Sequence, residues 1–254
     1  MSHIHLIKKD NYAIIQMDRE KANPMNYEFV AGLRIALKNL LEDDSIQGAI
    51  INGKEHFFSA GLDLPELYAY DEQQFEKFWK NFMELVCDLV AFDKPLIASI
   101  NGHSPAGGCV LAIGCDYRVM AAGNYKIGLN EIPIGLIVPR GIFDIYSYCI
   151  GKKLAFQYLM EGKLYSPEHA KEIGLVDEVV PGENVLETAE KKLKQYLQYE
   201  QNGWRTTKRQ FKREQLQSIS SISDFEMKMM LRQWWSAPVR SIVEKFVENL
   251  KKKN

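Results

Sequence analysis

The sequence predicts an α/β fold with a mostly parallel sheet, followed by an all-helical C-terminal segment. Three observations predict it. Short β-branched runs alternate with amphipathic helical stretches up to residue 120, glycines recur at the strand-to-helix junctions, and strand signals nearly vanish after Gly151.

Residues 4–7 and 12–17 are apolar runs around a polar break, the pattern of a hairpin. Over residues 26–43 the positions Phe29, Val30, Leu33, Leu37, Leu40 and Leu41 recur at three- and four-residue steps, which predicts an amphipathic helix. A buried strand follows at 46–52. A second helix is expected near 73–92, with Phe75, Phe78, Trp79, Phe82, Leu85, Val86 and Leu89 on one face and Lys94-Pro95 as its stop. The strand 95–101, a glycine-rich turn at 102–108, a short helix at 108–114 and a strand at 116–120 complete the alternation. This order favours right-handed crossovers and a parallel sheet. One last strand is expected at 176–180, and 185–250 reads as helix throughout. Two units result: an αβ core over residues 1–190 and a helical cover over residues 191–254.

At 254 residues, with 46% hydrophobic side chains, the chain buries a core without help from metals or disulfides. The 32 basic residues against 33 acidic ones leave a net charge of -1, which removes the whole-molecule argument for nucleic acid or an acidic membrane. The four cysteines form no C-x-x-C pair and the five histidines no H-x-x-x-H pair, so no metal site is expected. The first ten residues lack the apolar core of a secretory signal, no apolar run reaches membrane-spanning length, and Lys251-Lys252-Lys253-Asn254 is not a peroxisomal address. A reducing cytoplasm is the expected location.

Three segments depart from core-and-surface patterning. In Phe58-Ser59-Ala60-Gly61-Leu62-Asp63-Leu64 a turn through Ala60-Gly61 leaves the backbone N–H of Leu62 available to a ligand. Asn101-Gly102-His103-Ser104-Pro105-Ala106-Gly107-Gly108-Cys109 runs from a strand into a helix N-terminus, whose first N–H groups are unpaired and at the positive dipole end. Two such donors converging on one point form an oxyanion hole, although glycines that only make turns explain either loop alone. The spacings of the phosphate-binding glycine motifs are absent. In Ile127-Gly128-Leu129-Asn130-Glu131-Ile132-Pro133-Ile134-Gly135 a lone carboxylate stands among apolar neighbours. Desolvation there would raise its pKa toward the range of a general base; a surface glutamate paired with Arg140 is the alternative.

These three segments, in this order, together with Lys21-Ala22-Asn23-Pro24-Met25-Asn26 and Ala170-Lys171-Glu172-Ile173-Gly174-Leu175-Val176-Asp177, resemble the crotonase superfamily, the enoyl-CoA hydratase/isomerase family. The resemblance implies a crotonase-like (ClpP/crotonase) spiral core of ββα units. It implies oxyanion donors at the backbone N–H groups of Leu62 and Gly107, and Glu131 as the catalytic carboxylate. It further implies that the coenzyme A part of the substrate lies along Lys21, Ala22, Ala60, Gly61, Leu62, Asp63 and Leu64, with Gly107 at the thioester. Asn130 has two readings: it orients Glu131 or the thioester of the substrate, or it only satisfies the loop backbone. No separate cofactor is implied, because coenzyme A belongs to the substrate. A homotrimer or a hexamer is implied as well, with residues 191–254 as a trimerisation or cover segment whose helices pack on the core or on a neighbour.

Hydratases of this family hold water between two glutamates, one directly after the Gly-Gly-Cys stretch. Here that position is Val110. The remaining pattern is similar to that of the family's 3-enoyl-CoA to 2-enoyl-CoA isomerases, for which one carboxylate suffices to move a proton from the α to the γ carbon in fatty acid β-oxidation. A hydratase or another acyl-CoA lyase is the second reading. His103 has no role in this chemistry, and the aromatic stripe 75–82 is either core or the border of an acyl pocket. Arg205, Lys208, Arg209, Lys212 and Arg213, interleaved with Trp204 and Phe211, form a basic cluster with three readings: a solvated helix face, a contact to coenzyme A phosphates, or RNA binding as a third function class.

Overall fold

The computed structural model describes residues 3–251. The tail 252–254, part of the segment read as no peroxisomal address, lies outside the described residues.

The hairpin forms between β1 (Ile4–Lys8) and β2 (Tyr12–Met17), with Ile4 opposite Met17 and Lys8 opposite Ala13. The chain then runs through α1 (Tyr27–Glu42), β3 (Gly48–Asn52), β4 (His56–Phe57), α2 (Leu64–Ala69), α3 (Glu72–Ala91), β5 (Leu96–Ile100), β6 (Gly102–Pro105), α4 (Gly107–Gly114), β7 (Tyr117–Ala121) and β8 (Ile127–Gly128). After a 3-10 turn at Ile132–Ile134 come α5 (Arg140–Ile150), α6 (Lys152–Glu161), α7 (Pro167–Glu172), β9 (Glu178–Val180), α8 (Val185–Leu197), α9 (Gln201–Ser220), α10 (Asp224–Trp234) and α11 (Ala237–Lys251).

Helix starts are set where the sequence supplies caps. Asn26 Oδ1 accepts from Phe29 N at 2.9 Å to open α1, and Asp71 with Gln74 forms a reciprocal capping box for α3. The α1 stripe Phe29, Val30, Leu33, Leu37 and Leu40 is buried as its spacing requires. Leu41, which the same spacing placed on that stripe, is instead exposed.

The large sheet has the order β1-β2-β3-β5-β7-β9, and every pairing after the hairpin is parallel. Its inner strands are covered on both faces, so their apolar residues alternate between two cores. Ala13, Ile15, Ala49 and Ile51 face the side of α1 and α3, while Tyr12, Ile14, Ile50 and Ile97 meet Val185, Ala189 and Leu193 of α8. Burying side chains such as Val185 and Leu193 is worth roughly 1.5–3 kcal/mol each. Helix α8 spans residue 190 and packs on β3, β5 and β7, while α9 lies against α3 and α5.

A second, three-stranded parallel sheet, β4-β6-β8, replaces the simple glycine turn expected at 102–108. Each of its strands is only two to four residues long, too short to show a period of two. Gly102 permits it: a Cβ there would sit 2.0 Å from the carbonyl oxygen of His56. Three large-sheet strands, β3, β5 and β7, each continue into a small-sheet strand, β4, β6 and β8, and then into helical structure, giving the ββα units of the core. The junctions between the small sheet and the helices carry the candidate site.

Candidate active site

The loop 58–64 is pinned through most of its backbone. Phe58 N donates to His103 O at 2.9 Å, Ala60 N to Ala22 O at 2.8 Å and Asp63 N to Met25 O at 3.0 Å. Ser59 Oγ donates to Asn23 O at 2.7 Å and accepts from Gly61 N at 3.1 Å, and Met25 N donates to Gly61 O at 2.8 Å. Gly61 adopts φ +86°, a conformation that favours glycine. Within this run the N–H of Leu62 has no hydrogen-bond partner among the described residues.

The second loop ends on Ala106, held at φ 48° with its N–H donating to Gly128 O at 2.8 Å. A non-glycine residue held there is strained, and the register of β6 against β8 keeps it in place. The first helical bond of α4 is Val110 N to Ala106 O at 3.0 Å, so the N–H of Gly107 is unpaired at the positive end of the helix. The two loops touch: a Cβ on Gly61 would lie 3.2 Å from Gly107 N. Leu62 and Gly107, separated by 44 intervening residues, thus present free amides beside one pocket.

Glu131 enters that pocket from the segment after β8. Its carbonyl accepts from Ile134 N and Leu136 N, both at 3.1 Å, which fixes the backbone as the cap of the 3-10 turn. The residue is half-buried, but its Oε2 is enclosed and has no partner. Burial pushes the carboxyl up to about 7, with the N–H groups of Glu131 and Asn130 pulling back in part. Asn130 Oδ1 is likewise enclosed and unpartnered. The pocket is narrow, with a cavity of about 20 Å³, and is lined by Leu62, Gly107, Glu131, Val110, Trp79 and Phe82 and closed by residues 136–139 and Ile142. Glu131 is its only carboxylate among the described residues.

The other expected residues fall into distinct places. Ala22 is tied to Ala60, and Lys21 beside it is exposed. The Asp63 carboxylate caps α2 through Glu66 N at 3.1 Å and pairs with Arg19 Nη1 at 2.7 Å, while Leu64 is buried in the core; their side chains face protein. His103 packs on Phe57 and Tyr125, with its basicity lowered by burial, and does not line the pocket. The aromatic stripe divides: Trp79 and Phe82 line the pocket, whereas Phe75 stacks on Trp234 at 4.3 Å and Phe78 is buried in the core.

The basic cluster also divides, which corrects all three readings of it as one patch. Lys208 is buried, donating to Asp116 Oδ2 at 2.6 Å and Lys94 O at 2.9 Å, and Arg205 pairs with Asp93 at 2.7 Å. Lys212 is buried too, and only Arg209 and Arg213 are exposed. Interleaved spacing in the sequence concealed the split because α9 turns one face toward α3.

Sequence reasoning missed the wall made by residues 136–139 and Ile142. The one available signal is an apolar run in a loop bounded by Gly135 and Pro139, where ordinary loops are polar. It also missed how the C-terminus covers the site. Helix α11 packs on α2 and on the 3-10 turn, Arg240 Nη2 donates to Tyr68 O at 2.9 Å, and Gln233 Nε2 donates to Gly135 O at 2.9 Å. No group of three or more metal-type ligands occurs among the described residues, and no helix there is long and apolar enough to cross a membrane.

Comparison with known proteins adds four findings. The family model described as Enoyl-CoA hydratase/isomerase matches residues 8–254. Enoyl-CoA delta isomerase 1, mitochondrial, of Mus musculus is 33% identical over 243 residues, covering 95% of this chain and 84% of the mouse protein. The 2,3-dehydroadipyl-CoA hydratase of Escherichia coli (strain K12) is 32% identical over 190 residues, 74% of this chain and 73% of that protein. Among solved structures, human mitochondrial delta3-delta2-enoyl-CoA isomerase superposes with a TM-score of 0.95 at 29% identity, covering 99% of both chains.

Proposed function

The chain belongs to the enoyl-CoA hydratase/isomerase family, and within it we propose that this enzyme moves the double bond of a 3-enoyl-CoA to give the 2-trans-enoyl-CoA. The observation that carries this reading is the single desolvated carboxylate, Glu131, in a pocket where Val110 stands in place of a second one.

Glu131 in its ionised form removes the α proton of the thioester. Negative charge moves to the thioester oxygen, where the N–H groups of Leu62 and Gly107 stabilise the dienolate. The neutral carboxylic acid then returns the proton to the γ carbon, which regenerates the carboxylate and leaves the double bond between the α and β carbons. A base with a pKa near neutrality suits both halves of this cycle. One oxyanion donor is worth ~10²–10³ in turnover. The apolar walls from Trp79, Phe82 and Ile142 hold the acyl chain and exclude water, which disfavours hydration of the product.

Coenzyme A lies in this reading along Lys21, Ala22 and the loop from Ala60 to Leu64. Asn130 lies beside the thioester. Asp63 and Leu64 contribute backbone only, since their side chains are engaged elsewhere. No cofactor beyond the coenzyme A of the substrate takes part. The same reading keeps a homotrimer or hexamer acting in fatty acid β-oxidation, and a reducing cytoplasm suits its four free thiols.

Turnover of a 3-enoyl-CoA, with hydration of a 2-enoyl-CoA run alongside, tests the proposal. Fast isomerisation with little hydration, lost by at least about 10²-fold in Glu131→Gln, is expected. Efficient hydration by the wild type would establish the hydratase reading instead.

A further inference from the structure

The cavity beside Glu131, about 20 Å³, has room for about one water, whereas the acyl part of an enoyl-CoA brings several carbons to the same place. A wall must therefore give way when the acyl chain enters, and the walls differ in what holds them. Leu62 stands in the loop pinned by the N–H groups of Phe58, Ala60 and Asp63. Gly107 and Val110 belong to α4, every residue of which is buried, and Ile142 is buried in α5. Trp79 and Phe82 project from α3, which packs on α1, α4 and α9.

The wall of residues 136–138 is held least. All three residues are half-buried, and neither Ile137 nor Val138 makes a backbone hydrogen bond among the described residues. The segment is tied at its ends only. At one end Leu136 N donates to Glu131 O at 3.1 Å, and Gly135, at φ +77°, donates to Ile132 O at 2.9 Å. At the other, Pro139 O accepts from Phe143 N at 3.1 Å as α5 begins. The one side chain that bonds to residues 135–138 among the described residues is Gln233 of α10, whose Nε2 donates to Gly135 O at 2.9 Å. Helix α11 backs the same point, since a Cβ on Gly135 would lie 2.8 Å from Val239 Cγ2.

We propose that residues 136–138 are the gate through which the acyl chain reaches Glu131, and that Gln233 is the positioning residue that holds this gate shut in the free enzyme. The proposal rests on the reading of the pocket as an acyl-CoA site. Opening draws Gly135 away from α10, so the Gln233 bond opposes entry, and apparent affinity is reduced by the fraction of chains that are closed. One amide-to-carbonyl hydrogen bond sets the scale at a factor of about 2–10. Coenzyme A without an acyl chain has no need of the gate.

Calorimetric titration of the full chain with octanoyl-CoA, and with coenzyme A alone, tests the gate. Gln233→Leu should bind octanoyl-CoA about 3-fold or more tightly than the wild type does, and coenzyme A equally. Gln233→Glu, whose carboxylate cannot donate to Gly135 O, should behave as Gln233→Leu. Damage to the fold would weaken both ligands, so a gain confined to the acylated one is the signature of a released latch. Octanoyl-CoA bound no more tightly by either variant than by the wild type overturns the gate and leaves the isomerase reading standing. A wild type that binds octanoyl-CoA no better than coenzyme A overturns the acyl pocket itself, and the gate with it.

Discussion

Val110 and Glu131 line the same narrow pocket beside the free amides of Leu62 and Gly107, and only one of the two can carry a proton. That pairing separates a proton shuttle from a water-holding site. Introducing a second carboxylate with Val110→Glu should lower isomerisation, make hydration of a 2-enoyl-CoA measurable, and move the acid limb of the pH profile upward, because two like charges in one desolvated space resist joint ionisation. Thermal unfolding should show a cost of ~1–3 kcal/mol for the added polar burial.

The carboxyl of Glu131 sits near pKa 7 in the folded chain, against 4.5 for an unperturbed glutamate. Catalysis needs the ionised form, so kcat/KM should rise with pH through an apparent pKa of about 7. Stability should run the other way. Between the two values the folded state binds more protons than the unfolded state, so ΔG of unfolding falls as pH rises across that window, by on the order of 3 kcal/mol in total. Melting curves of Glu131→Gln should lack this loss and gain most over the wild type above pH 7.

Gly61 carries φ +86°, and its missing side chain leaves room for Gly107 N. Gly61→Ala should cost ~1 kcal/mol or more in stability from the backbone conformation and, by crowding the Gly107 amide, ~10²–10³ in turnover with little change in KM. Steady-state kinetics beside a melt would separate these effects. An unchanged kcat would remove this amide from the mechanism.

Trp79 lines the pocket, its Nε1 enclosed without a partner, on the wall proposed above to hold the acyl chain. Trp79→Leu should enlarge that end and shift kcat/KM from short toward longer 3-enoyl chains by about 10-fold or more in ratio. Substrates of graded chain length provide the measurement, and an unaltered ratio would assign the acyl group to another surface.

The helices and long strands were legible in the sequence because their apolar residues recur with clear periods, as from Phe29 to Leu40 and in the Ile50–Ile51 alternation. Strands of two to four residues, such as His56–Phe57 and Ile127–Gly128, carry no period, so the small sheet stayed hidden. The loops bearing Leu62, Gly107 and Glu131 were found through their glycines and the isolated carboxylate. The paired fate of Lys208 and Arg205 was not legible, since Asp116 and Asp93 lie 92 and 112 residues away in sequence. The cover from Arg240 onto Tyr68, 172 residues apart, was hidden for the same reason.

The single-glutamate shuttle is tested most directly with a 3-enoyl-CoA doubly deuterated at the α carbon, converted in ordinary water. Because Glu131 Oε2 is enclosed, some of the deuterium removed from the α carbon should return to the γ carbon of the product within one turnover, as read by mass spectrometry or NMR. A product with only solvent hydrogen at the γ carbon, even at the earliest times, would contradict delivery by the same carboxyl group.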